Sequence, residues 1–101
     1  MGKVVTTSIT QEYCVPTDAT VIFNKPIPGD PLVYRQMVSV RYNILAPDFS
    51  LIRVIEESFT LQETAAPLQL ADIETGFKGA WTDTLISQSQ AVISRETTSA
   101  G

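Results

Sequence analysis

The alternation that runs from Leu32 to Gln62 constrains this chain more than any other stretch. Val38, Val40, Tyr42 and Ile44 occupy one phase, and Ser39, Arg41 and Asn43 the other. Period two with β-branched residues describes a strand that has one dry and one wet face. Ala46-Pro47-Asp48-Phe49 fits a type I turn with proline at its second position. The second arm starts with Ile52 and Val54 apolar in the even phase and ends with Phe59 and Leu61 apolar in the odd phase. That switch predicts a β-bulge near Glu56-Glu57, or a strand that changes partners there. A helix competes for this arm. Ile52, Ile55, Phe59 and Gln62 are spaced like a helix face, and Asp48 or Ser50 could cap it. The β-branched content and the preceding alternation favour the strand.

The flanks differ in period. From Lys3 to Val15, apolar Val5, Ile9, Tyr13 and Val15 share a phase, which reads as a strand. Pro16-Thr17-Asp18 then reads as a turn, and Ala19 to Asn24 as a second strand that closes an N-terminal hairpin. Pro26 to Pro31 holds three prolines and reads as a stiff connector. After Ala65-Ala66-Pro67 the period becomes four. Ile73, Phe77, Trp81 and Leu85 form a stripe down one side of a helix, with Asp72 or Asp83 as caps. A second short helix starting near Ser87 is an alternative to one long helix. Gly76 and Gly79 weaken such a helix or admit a neighbouring chain closely. The expected fold is α+β: an antiparallel sheet, made of an N-terminal hairpin and a long central hairpin, followed by a C-terminal helix or helices. Tyr42, Phe59, Phe77, Trp81 and Leu85 are the expected core, shared across a dimer.

With 101 residues the chain is one domain, residues 1–101. Charged residues are only 18%, a thin layer that hints at surface covered by another copy. The net charge of −4 argues against a generic basic nucleic-acid binder. The one cysteine, Cys14, excludes an intrachain disulfide and reads as a buried thiol. No apolar run approaches a membrane span and no signal peptide is apparent, so the expected setting is a cytoplasm.

The chemistry available is sparse. Without histidine, Ser–His and Cys–His pairs are impossible. Lys3, Lys25 and Lys78 sit in no motif, and Glu56-Glu57 would point to opposite faces of a strand. No metal-ligand spacing and no phosphate loop occur. The chain reads as a non-enzyme with no cofactor, no small-molecule substrate and no membrane partner. One face of the central pair does stand out. Arg35, Arg41, Asn43 and Arg53 lie at odd positions and share a face if both arms turn their even residues the other way. Arginine forks suit phosphates, so these four are the candidate nucleic-acid contacts. In that arrangement Arg41 faces Arg53, and Glu57 is the nearest partner for Arg35. The competing reading is a solvated face.

The run SFTLQETAAPLQLADIETGFKGAWTDTLISQSQAVISRETT and the strand RQMVSVRYNIL resemble, in order and spacing, the last strand, the helices and a sheet strand of small single-stranded RNA bacteriophage coat proteins. The resemblance implies an obligate homodimer in which two sheets join, helices lie over the partner, and dimers build a shell. It places the chain in a virion assembled in the host cytoplasm, with Arg35, Arg41, Asn43 and Arg53 facing RNA. The chain is short and acidic for that family. The expectation is therefore a structural, self-assembling virion protein. The alternative is a small non-enzymatic protein-binding module or regulator that uses a sheet edge.

Overall fold

A computed structural model describes residues 11–97. Three strands, β1 (Tyr13–Ile27), β2 (Val33–Leu45) and β3 (Leu51–Thr64), form one antiparallel sheet in that order. Two helices follow, α1 (Leu70–Phe77) and α2 (Ala80–Glu96). This is the expected α+β class, and Leu51 to Gln62 is strand rather than helix.

The central hairpin closes as the turn residues dictate. Phe49 N–H donates to the Ala46 carbonyl at 2.7 Å, and Ala46 N–H donates to the Ser50 carbonyl at 2.9 Å. Phe49 takes φ 68°, the left-handed position that follows a type I turn in such loops. Glycine or asparagine ordinarily fills that position, and an aromatic residue costs about 1–2 kcal/mol there.

The N-terminal half departs from expectation. Pro16-Thr17-Asp18 is no turn, because β1 runs straight through it. Pro16 opposes Tyr42, Asp18 opposes Arg41, and Thr17 bulges out between them. The Thr17 hydroxyl donates to the Arg41 carbonyl at 3.2 Å and stitches the bulge to β2. Proline is tolerated because β1 is an edge strand, where a missing N–H leaves no ladder bond unmade. The phase of the strand is also reversed. Cys14 is buried, whereas Val15 is 41% exposed. Most of the strand expected from Lys3 to Val15 lies outside the described residues. The proline-rich connector shortens, since Pro26 and Ile27 pair with Tyr34 and Val33.

The core lies between α2 and one face of the sheet. Val38, Val40, Tyr42 and Ile44 are buried there with Cys14 and Val92, flanked by Val21, Ile55, Phe59, Leu61, Leu85 and Ile93. The Tyr42 hydroxyl donates to Ser89 of α2 at 3.1 Å, so the buried phenol is satisfied. At the far end buried Gln36 exchanges two 2.8 Å bonds with Asn24, accepting from its backbone N–H and donating to its side-chain oxygen. Asn24, at φ 53°, in turn holds Leu68 in the linker to α1.

The expected helical stripe is broken at Lys78-Gly79, not near Ser87, and α1 and α2 meet at an elbow. Gln69 caps α1 with Asp72, the third helical residue, as the reciprocal partner, so Asp72 is not itself the cap residue. Asp83 lies in the first turn of α2, whose N-cap is Gly79 and makes no side-chain bond. Trp81 fills the elbow, 2% exposed, and its indole N–H donates to Gln62 at 2.9 Å. A Cβ on Gly76 would stand 2.3 Å from the Trp81 ring. The close approach at Gly76 thus serves this chain's own tryptophan rather than a neighbouring chain.

Substituting Gly76→Ala should push Trp81 out of the elbow and cost about 1–3 kcal/mol, as overpacking does. Denaturant unfolding followed by tryptophan emission measures this, with a red-shifted native spectrum expected. A wild-type midpoint and spectrum would show that the elbow has room.

Candidate assembly interface

Two bulges decide what each side of the sheet carries. Leu45 opposes Leu51 across the turn, but Ile44 opposes Arg53, so Ile52 is the extra residue. Register then runs unbroken from Arg53 to Thr60, and Leu61 is extra before Gln62 opposes Gln36. The bulge expected at Glu56-Glu57 is therefore absent, and two others flank that position. A one-residue slip sends every following side chain to the other face. Odd residues of β3 consequently join even residues of β2 beneath α2.

This separates the four residues expected on one face. Arg35, Arg41 and Asn43 lie on the outer face. Arg53 sits opposite Ile44 on the helix-bearing face, because the Ile52 bulge turned it over. Arg41 does not face Arg53. It lies between Asp18 and Glu56, at 3.6 and 3.9 Å. Arg35 pairs with Glu63, not with Glu57. The outer face is a set of ion-paired rows rather than an open cationic surface.

On the other face, α2 and β3 share a run of alternating charges. Arg53 reaches Glu12 at 3.3 Å and Glu96 at 3.1 Å. Arg95 reaches Glu96 at 2.9 Å and Glu57 at 2.8 Å. Arg95 first, and Arg53 second, hold the Glu96 carboxyl below the ordinary glutamate range. Glu57 and Glu96 raise the Arg95 guanidinium above its ordinary value. Burial, and then the nearby Glu96 charge, push the Cys14 thiol up, which suits an inert core residue.

The two sheet edges are unequal. The β1 edge carries Pro16 and Pro26, which lack N–H groups, and register shifts at Pro16/Asp18 and Ile22/Lys25. Prolines and bulges of this kind block strand addition. The β3 edge carries no proline, no lysine and no bulge from Arg53 to Thr60, and among the described residues no strand lies beyond it. Apolar surface gathers near one end of this edge. Leu51, Ile52 and Val54 are 57, 44 and 49% exposed, and Phe49 at the turn is 69% exposed with its ring 5.5 Å from Tyr13.

Of the expected core residues, Tyr42 and Trp81 are buried, and Phe59 and Leu85 pack against the core. Phe77 is 38% exposed, edge-on to both Phe23 and Trp81. Sequence reasoning missed Gln36 and Gln62. A glutamine opposite a glutamine in paired strands was the available signal. A cleft of about 410 Å³ lies at the elbow, lined by Gln62, Leu68, Asp72 and Trp81 among others. Its polar groups are already engaged: Asp72 accepts from Gln69 N–H and Gln62 from Trp81. No group of three metal-ligating side chains occurs among the described residues. No described helix is long and apolar enough to cross a membrane. Comparison with protein families, curated proteins and solved structures finds no match to this chain.

Glu96 supplies a pH test. Its folded pKa is depressed, so its stabilising contribution is present above the unfolded value, about 4.3, and is lost as pH falls through the lower folded value. Urea midpoints of wild type and Glu96→Gln should therefore differ at neutral pH and converge in acid. A gap independent of pH would remove the ion pairs from the stability of this face.

Proposed function

We propose that this chain is the subunit of a self-assembling structural protein, a coat-type virion component whose building block is a homodimer closed through the β3 edge. The observation that carries the reading is the regular, proline-free edge from Arg53 to Thr60 beside a β1 edge broken by Pro16, Pro26 and two register shifts. An open strand edge recruits another strand, since its outward N–H and C=O groups lack ladder partners. The shape points the same way. The radius of gyration is 18.8 Å, against about 13 Å for a compact domain of this length. Among the described residues eleven large apolar side chains stay exposed, while six are buried together with Cys14, a balance that invites cover by further copies.

The layout agrees with the coat-protein resemblance in one respect: a long antiparallel sheet is followed by helices on one of its faces. Assembly of dimers into a shell, in a virion formed in the host cytoplasm, would use the apolar turn. Phe49 holds an unfavourable φ while largely exposed, which is reasonable for a contact residue and poor for a free loop. RNA contact does not form part of this proposal. Phosphate would have to displace Asp18, Glu56 and Glu63 from the two arginines left on the outer face. The other reading, a binding module that adds a foreign strand to the same edge, keeps the geometry and changes the partner.

Sedimentation of the purified protein should give twice the chain mass, and electron microscopy at high concentration should show particles. A monomer throughout the micromolar range would overturn the proposal. Phe49→Gly should relieve the turn by about 1 kcal/mol, leaving dimers at least as stable to heat while particles are lost. Particles of normal yield would remove the turn from assembly.

A further inference from the structure

The charges along β3 also specify how two copies would align. Because α2 covers only one face, a two-fold perpendicular to the sheet keeps both helices on the same side. Residues facing each other across β3 and its symmetry mate then share a face, and one residue must lie on the axis. Like charges directly opposite are unfavourable and opposite charges favourable. An axis at Glu56 or Glu57 sets two carboxylates face to face. One at Val54 puts Arg53 against an apolar Ile55. One at Ser58 brings Arg53 to Glu63 only by crossing the Leu61 bulge. Placing Ile55 on the axis sets Arg53 opposite Glu57 twice, both within the regular stretch.

We propose that β3 pairs with β3 of a second copy with Ile55 on the two-fold, so that Arg53 of each chain meets Glu57 of the other. This rests on the homodimer reading above and names its register. The intrachain network already gathers both side chains on the helix-bearing face. It begins on Glu12, passes through Arg53, Glu96 and Arg95, and ends on Glu57. Glu57 stands at one end of this network with a single cation, Arg95. The partner's Arg53 supplies a second cation to Glu57, and the two networks close into one.

The test is a charge-swap mixture. Arg53→Glu and Glu57→Arg, each alone, place like charges across the axis and should dimerise at least tenfold more weakly than wild type. Mixed together they restore opposite charges at both crossings, and the heterodimer should form at least tenfold more tightly than either homodimer. Loss of intrachain pairs alone would not be repaired by mixing. A mixture no tighter than its components, with wild type still dimeric, would overturn the register while leaving the edge dimer standing. A monomeric wild type would overturn the edge dimer itself. Should either variant fail to fold, oxidative cross-linking decides. Ile55→Cys should give a disulfide-linked dimer faster than Ser58→Cys, since only the axial residue faces its own copy. The reverse order would refute the axis at Ile55.

Discussion

One extra residue governs this structure. Ile52 has no partner on β2, so the ladder slips by one and every later side chain of β3, up to the next bulge, changes face. Ile55 and Phe59 thereby enter the core, and Arg53 and Glu57 come beneath α2. Leu61 undoes the slip and turns Gln62 toward Trp81. Between the bulges lie eight residues of regular strand, whose outer edge no strand pairs with among the described residues. Without the first bulge, Ile52, Val54 and Glu56 would face α2, and the ion-pair run joining the helix to the strand could not form.

The helix pair holds this arrangement at its two ends. Trp81 fixes the elbow against Gln62 and Gly76, while Arg95 and Glu96 fix the C-terminal turn against Glu57 and Arg53. Between them Leu85, Val92 and Ile93 seal the dry face of β2. Exposed ion pairs contribute little individually, so burial of Trp81, Tyr42 and Ile44 carries most of the stability and the charges mainly set orientation. The core so formed is narrow. Among the described residues it leaves the β3 edge unpaired and an apolar tip in solvent, the two features on which the proposed assembly rests.

The parts legible in sequence are those where one physical rule acted alone. Val38 to Ile44 alternate because β2 is central and one face is dry, and Pro47-Asp48 shapes the turn after it. The four-residue spacing of Phe77, Trp81 and Leu85 announces helix, although Gly79 divides it. The misreadings arose where two rules met. Alternation alone turns apolar Ile52 and Val54 toward the core and puts the switch at Glu56-Glu57; in the structure Ile52 is the extra residue and Val54 lies on the outer face opposite Asn43. That inversion misplaced Arg53. Pro16 signals a turn by local propensity, yet the same lack of an N–H suits an edge strand. Gln36 and Gln62 carry no signal of their roles, because nothing in a single sequence shows that Asn24 closes over Gln36 or that Trp81 reaches Gln62.

Amide hydrogen exchange along β3 tests the edge dimer most directly. An edge strand protects only alternate N–H groups, those bonded to its one neighbour, whereas an interior strand protects both sets. The dimer predicts slow exchange at consecutive amides centred on Ile55, with the outward set becoming fast on dilution. Alternate protection at every concentration would leave β3 a free edge and contradict the account.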